Sequence, residues 1–154
     1  MIHRRLWRMN KEILNENNIV LNVPSESKVQ AIERVGNLLF KNGYVEKEYI
    51  EGMKKREEDV TTYIGNGIAI PHGVSGYVKY IKKSGIVIAQ YPKGVDFGDG
   101  NIAYIVIGIA GKGDEHLEIL SKIALTCQYE ENVEKLKKAR TKQEIIEILQ
   151  KGDE

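Results

Sequence analysis

Three side chains in this sequence have types and surroundings suited to chemistry: His72, His116 and Arg56. His72 stands in Ile68-Ala69-Ile70-Pro71-His72-Gly73, where a proline ends a short apolar run and a glycine behind the histidine lets the backbone bend. An imidazole at the exit of a strand is held on a rigid base and offered to whatever arrives from solvent. Neutral histidine carries one unprotonated ring nitrogen near pH 7, so it can attack an electrophile without a separate base. Two readings of this fragment stand side by side, a nucleophile or a histidine that closes a turn through one hydrogen bond.

His116 opens a helical segment, Asp114-Glu115-His116-Leu117-Glu118-Ile119-Leu120. Its neighbours one turn on, Ile119 and Leu120, are apolar, so the ring leans toward the protein. By itself it reads better as a buried, satisfied histidine. Beside His72 it reads as a donor that offsets charge, and the free backbone N–H groups of a first helical turn favour an anion there. Arg56 lies on the inward-leaning side of an amphipathic segment just before the Thr61–Gly73 stretch. A solvated surface arginine is one reading and an anion-binding arginine the other.

The elements that must position these groups can be traced along the chain. Ile19-Val20-Leu21 is a short first strand ended by Pro24 and Ser25. From Ser27 a capping-box pattern with Gln30 opens a helix whose inward positions are Val29, Ile32, Val35, Leu38 and Leu39 and which ends at Asn42-Gly43. A second helix is expected from Glu46 to about Glu58, with Tyr49, Ile50 and Met53 facing in and Lys54, Lys55, Glu57 and Glu58 facing out. Asn66-Gly67 marks a tight turn before the apolar strand that leads to His72. Beyond a polar link at Ser75-Gly76, Gly85–Tyr91 reads as a buried strand stopping at Pro92, and Ile102–Ile109 as another, rich in β-branched residues. Asp114 is placed to cap a helix running from Glu115 to about Gln128, and two further helices, Asn132–Arg140 and Lys142–Gln150, are divided at Thr141. Helices interleaved with short apolar strands predict an α/β fold, a layered sandwich with a mixed β-sheet flanked by helices on both sides.

Composition narrows the functions available. The 154 residues fit one ordinary domain, and 42% hydrophobic with 29% charged residues is a globular balance. A formal net charge of +1 gives no basic stripe for nucleic acid or an anionic membrane. No apolar run reaches the length of a membrane span, and the basic start at residues 1–8 lacks the apolar core of a signal peptide. Those residues are expected to be an N-terminal extension, with no chemistry at His3, leaving 9–154 as a single domain. The one cysteine, Cys127, falls on a helical apolar face with Leu120, Ile123 and Ala124 and is expected to be a core residue; with no disulfide possible within one chain, a reducing cytoplasmic setting is expected.

Four segments in order, Gly52–Glu57, Thr62–Gly73, Gly85–Val95 and Ile107–Leu120, resemble the enzyme IIA domain of the bacterial phosphoenolpyruvate-dependent sugar phosphotransferase system, in the mannitol/fructose superfamily and nearest its mannitol type. The likeness runs from about residue 10 to the C-terminus. It implies that His72 accepts a phosphoryl group from the phosphocarrier protein HPr, on Nε2, and passes it to a cysteine of enzyme IIB during uptake of mannitol or a related sugar. It also implies that Arg56 and His116 stabilise the phosphoryl group, with no metal and no organic cofactor. Gly111, where alanine is more usual in the family, is expected to loosen its loop. With no enzyme IIB or IIC segment attached, a freestanding component is expected.

Such a relay asks for a nucleophile that is also a good leaving group, which imidazole is and a serine hydroxyl is not. The two added negative charges call for cations in a partly desolvated cleft. The scheme requires an exposed ring at His72 close to both Arg56 and His116, with Thr62 and Asn66 as secondary contacts and Ile70 and Val74 as an apolar rim for partners. One alternative is a regulatory enzyme IIA of the nitrogen-related kind, against which the block at Asp114-Glu115-His116 argues. Another is a metallohydrolase built on His72, His116, Glu115 and Asp114, which lacks a zinc-like ligand spacing. Dinucleotide-binding and serine-hydrolase readings fail, because Gly65-Asn66-Gly67 has no third glycine and Gly73-Val74-Ser75-Gly76 has the wrong spacing.

Overall fold

The computed structural model of the protein describes residues 10–151, so the expected extension at 1–8, His3 included, lies outside the described residues. A one-turn 3-10 segment, Glu16–Asn18, leads into β1 (Ile19–Val20), followed by α1 (Lys28–Lys41) and α2 (Tyr49–Asp59). Strands β2 (Tyr63–Gly65) and β3 (Ile68–Ala69) form a hairpin, and a 3-10 segment, Ser75–Tyr80, connects it to the long strands β4 (Gly85–Asp96) and β5 (Ile102–Ala110). Three helices close the chain, α3 (Glu115–Cys127), α4 (Glu130–Lys138) and α5 (Lys142–Lys151).

Local chemistry explains most of these boundaries. Ser27 Oγ accepts from the Gln30 N–H at 3.1 Å while Gln30 Oε1 accepts from the Ser27 N–H at 3.0 Å, closing the capping box of α1. Thr141 and Glu144 repeat that exchange at the start of α5. In the β2–β3 turn Asn66 and Gly67 have φ of 53° and 81°, the paired left-handed conformation that matches strand twist.

The sheet runs β1-β4-β5-β3-β2 and is mixed: β1 lies parallel to β4 and β3 to β5, while β4/β5 and β2/β3 are antiparallel. Alternation along the central strands sends Ile86, Ile88, Ile105, Ile107 and Ile109 to one face, where they meet Ile119, Ile123, Leu136 and Ile145 of α3–α5. Val87, Ala89, Val106 and Ala110 go to the other, under Ile32, Val35, Leu39 and Met53 of α1 and α2. Gly108 lets α1 close on the sheet, since a Cβ there would sit 2.8 Å from Val35 Cβ. The fold is the expected sandwich with helices on both faces.

Four expectations about these elements need correction. Strand β4 does not stop at Pro92: Gln90 pairs with Ile105 and Val95 with Ala103, and the extra residues, Pro92 and Lys93 among them, bulge out to solvent, which spares the proline a ladder bond it cannot donate. Val29, expected inside, is exposed on the first turn of α1. Glu57, expected outside, is buried. The second helix also begins at Tyr49 rather than Glu46, after a turn in which the Tyr49 N–H reaches the Glu46 carbonyl.

Candidate functional site

Past β3 the chain keeps following β5. The Ile109 N–H donates to the Pro71 carbonyl at 2.9 Å, and His72 forms a parallel bridge with Ile109. The His72 ring turns back on its own strand, its Nδ1 lying 2.7 Å from the Ile70 carbonyl oxygen. A carbonyl can only accept, so Nδ1 carries the proton and Nε2 is left with the lone pair. On the far side of the histidine, Tyr49 of α2 is a brace: its Oη accepts from the Gly73 N–H at 2.8 Å and donates to the Ile109 carbonyl at 2.8 Å. The chain approaches that ring so closely that a Cβ on Gly73 would fall 2.4 Å from Tyr49 Cε1. Glycine is therefore required there by packing. The Val74 N–H bonds the Gly52 carbonyl, tying the segment after His72 to the same helix.

This bracing corrects one expectation. His72 keeps only 9% of its surface and is not the freely exposed ring foreseen. The bridge to Ile109 draws its backbone into the sheet, and the bond to Ile70 folds the ring inward.

His116 sits half-buried on the first turn of α3, its ring centroid 5.5 Å from that of His72 and the planes inclined at 60°. The loop before it is anchored by Ser84, whose Oγ donates to Glu115 Oε1 at 2.6 Å and accepts from the Lys112 N–H at 2.8 Å. Gly111 does not loosen this loop, contrary to expectation. It is buried against the helix start, and a Cβ would meet His116 Cα at 2.4 Å, so the missing side chain sets how close α3 comes. Asp114 occupies the residue before the helix with a helical backbone, and its side chain makes no capping bond.

Arg56, half-buried on the last turns of α2, donates through Nη1 to the Val60 carbonyl. Its charge reaches the His72 ring. Burial pushes the His72 pKa below the ordinary histidine value, the bond to Ile70 works the other way, the charges of Arg56 and His116 lower it further, and Glu57 raises it. Burial also lowers His116. The site thus holds a neutral imidazole beside fixed positive charge, with one nitrogen committed to a bond and the other basic. A nucleophile for a dianionic electrophile needs that combination.

The secondary candidates divide differently. Asn66 Nδ2 is engaged by the Cys127 carbonyl at 3.2 Å, a structural tie between the hairpin and the end of α3. Thr62 is buried and bonded to Glu57. Of the expected rim, Ile70 is buried in the core and Val74 is partly open, while Val60, Val78 and Leu117 are the large apolar side chains left exposed near the ends of these segments. Tyr49 and Glu57 were missed as site residues. The signal for Glu57 was present in Thr61-Thr62, two hydroxyls following a carboxylate in the last turn of a helix. For the hydrolase alternative, the described residues contain no group of three His, Cys, Asp or Glu side chains able to hold a metal ion. No helix of the described residues is long and apolar enough to cross a membrane.

Comparison with known proteins gives a consistent result. The family described as "Phosphoenolpyruvate-dependent sugar phosphotransferase system, EIIA 2" matches residues 12–152. The chain is 55% identical over 141 residues to the mannitol-specific phosphotransferase enzyme IIA component of Geobacillus stearothermophilus, covering 92% of this chain and 97% of that relative. It is 47% identical over 138 residues to the protein of the same description from Bacillus subtilis (strain 168), covering 90% and 96%. Among solved structures, the complex of enzyme IIAMTL and phosphorylated enzyme IIBMTL from Escherichia coli contains a chain that matches with a TM-score of 0.84 and 37% identity, over 88% of this chain and 96% of that one. The chain belongs to the EIIA 2 family of the phosphoenolpyruvate-dependent sugar phosphotransferase system.

Proposed function

We propose that this protein carries a phosphoryl group on His72 Nε2 during uptake of mannitol or a closely related sugar. In the first step the P–N bond of phospho-HPr breaks as a P–Nε2 bond forms; in the second that bond breaks as the group passes to a cysteine sulfur of enzyme IIB. Arg56 and His116 offset the phosphoryl charge in both. The observation that carries this reading is the Nδ1–H bond to the Ile70 carbonyl, which leaves Nε2 as the free base, with the His116 ring centroid 5.5 Å from that of His72 and the Arg56 charge acting on the ring. Val60 at the end of α2, Val78 on the 3-10 segment after His72 and Leu117 on α3 are exposed apolar side chains that suit a shared docking rim for two partners that use the same histidine in turn. Such a relay would work in the cytoplasm. The mannitol-specific names of the relatives at 55% and 47% identity favour transport over a nitrogen-type regulatory role.

The test is incubation with phosphoenolpyruvate, enzyme I and HPr. One acid-labile phosphoryl group is expected, absent in His72→Ala, and it should pass to a mannitol-type enzyme IIB faster than to a fructose-type one. Labelling that survives His72→Ala would refute the assignment.

A further inference from the structure

Glu57 is the least explained charged group near the site. A carboxylate in the last turn of a helix is placed against the helix dipole, and a buried one must be paired to be tolerated. Glu57 is 6% exposed. Its Oε1 accepts from the Thr62 N–H at 2.9 Å and from Thr62 Oγ1 at 2.6 Å, its Oε2 accepts from Thr61 Oγ1, and Lys28 Nζ of α1 stands 3.8 Å from Oε2. Three donors from two consecutive threonines pin the link between α2 and β2.

That link touches both halves of the site. The Thr62 carbonyl accepts from the Ile70 N–H at 3.0 Å, and the Ile70 carbonyl is the acceptor that fixes the His72 tautomer at 2.7 Å. The Val60 carbonyl, immediately before the pinned threonines, is the acceptor that holds the Arg56 guanidinium. We propose that Glu57 is the positioning residue of the relay, seating the His72 acceptor bond and the Arg56 clamp together through its bonds to Thr61 and Thr62. The proposal rests on the reading of His72 as the phosphoryl acceptor. Glu57 never touches the phosphoryl group; it acts through the 60–62 and 70–72 backbone. Its negative charge also raises the proton affinity of His72, against burial and the charges of Arg56 on α2 and His116 on α3. Tyr49 of α2 and Lys28 of α1 are the other titratable groups bonded to this assembly or paired with it.

The experiment compares wild type with Glu57→Gln and Thr62→Val, reading histidine 15N shifts across pH, circular dichroism, and the rate of phosphoryl uptake from phospho-HPr. Glu57→Gln is expected to keep the fold, to lose the single Nδ1–H tautomer signature of His72, to titrate that ring at lower pH, and to take up phosphate about tenfold more slowly. Thr62→Val keeps the carboxylate charge and loses one bond. Its His72 midpoint should stay in place while uptake falls a few-fold. A Glu57→Gln protein with wild-type tautomer and uptake overturns the proposal. So does one whose midpoint moves while its uptake does not, because Glu57 would then act as a through-space charge alone. Should Glu57→Gln fail to fold, Thr62→Val decides, and wild-type tautomer and uptake in that variant overturn the proposal. If wild-type His72 accepts no phosphoryl group, the functional reading fails, while the tautomer comparison still tests the positioning role.

Discussion

Tyr49→Phe removes one oxygen atom from behind the proposed nucleophile and leaves the ring in place. That oxygen accepts from the Gly73 N–H and donates to the Ile109 carbonyl, each at 2.8 Å, and Tyr49 itself is 2% exposed. Leaving a buried donor and acceptor without partners costs about 1–3 kcal/mol for each group that water cannot reach. Gly73 is only partly buried, so a net loss of about 2–3 kcal/mol is expected at pH 7. For a chain of this length that lowers the melting temperature by roughly 5–10 °C. The difference should change with pH. Burial pushes the Tyr49 phenol up to about 12, whereas in the unfolded chain it titrates near the ordinary tyrosine value of about 10. Between those values the unfolded state has lost the proton and the native state retains it, so the unfolded state binds fewer protons and stability falls as pH rises. Two pKa units correspond to about 3 kcal/mol, lost by the wild type and not by the phenylalanine variant. Other tyrosines titrate in both proteins and cancel from the comparison. Urea unfolding followed by circular dichroism at pH 7, 9, 10 and 11 should therefore show the variant weaker at pH 7 and the gap closing in alkali. Parallel curves, or equal stability at pH 7, would refute the brace.

Arg56→Ala and His116→Ala are expected to keep the fold and slow phosphoryl uptake by about 10²–10³-fold each, as for loss of one electrostatic contact to a transferring group; rapid-quench labelling with phospho-HPr checks this, and wild-type rates in both would remove the charge-stabilisation account. Burial lowers both His72 and His116, so below the ordinary value of 6.5 the unfolded chain takes up protons that the native protein refuses, and stability should fall as pH drops through that region. Thermal melts from pH 7 to 5 should show this slope, and a His72→Ala/His116→Ala protein should show less of it. The Cys127 thiol, 3% exposed and pushed up to about 12 by burial, should resist thiol reagents at pH 8 until urea opens the fold.

What was legible in the chain was whatever local chemistry decides. The Ser27–Gln30 capping box, the Asn66-Gly67 turn, the β-branched runs of β4 and β5 and the order of helices each depend on residues a few positions apart, and each appears where the residues place it. The sheet order did not follow from such signals, because β3 reaches β5 across an intervening strand in sequence. Pro92 misled for a related reason: its ring forbids a ladder bond, but a bulge satisfies that demand as well as a strand end does. Glu57 looked like a solvated face because helical periodicity weighs the helix alone, and its partners come from the chain after the helix.

The site follows the same division. The candidate nucleophile could be picked out from Pro71-His72-Gly73, but its state could not. A histidine that carries a phosphoryl group must be neutral, with its lone pair on a particular nitrogen, and both properties are set from outside the motif. The tautomer depends on the Ile70 carbonyl, in a stretch where the Ile70 N–H bonds the Thr62 carbonyl and the Ile109 N–H bonds the Pro71 carbonyl. The protonation state depends on burial created by β5 and α2 and on charges from two different helices. The exposed ring expected from the motif would have titrated near 6.5 and been partly protonated under mildly acidic conditions. Drawing the imidazole into the sheet lowers its proton affinity, which keeps it unprotonated further into the acid range, with the Nε2 lone pair uncommitted.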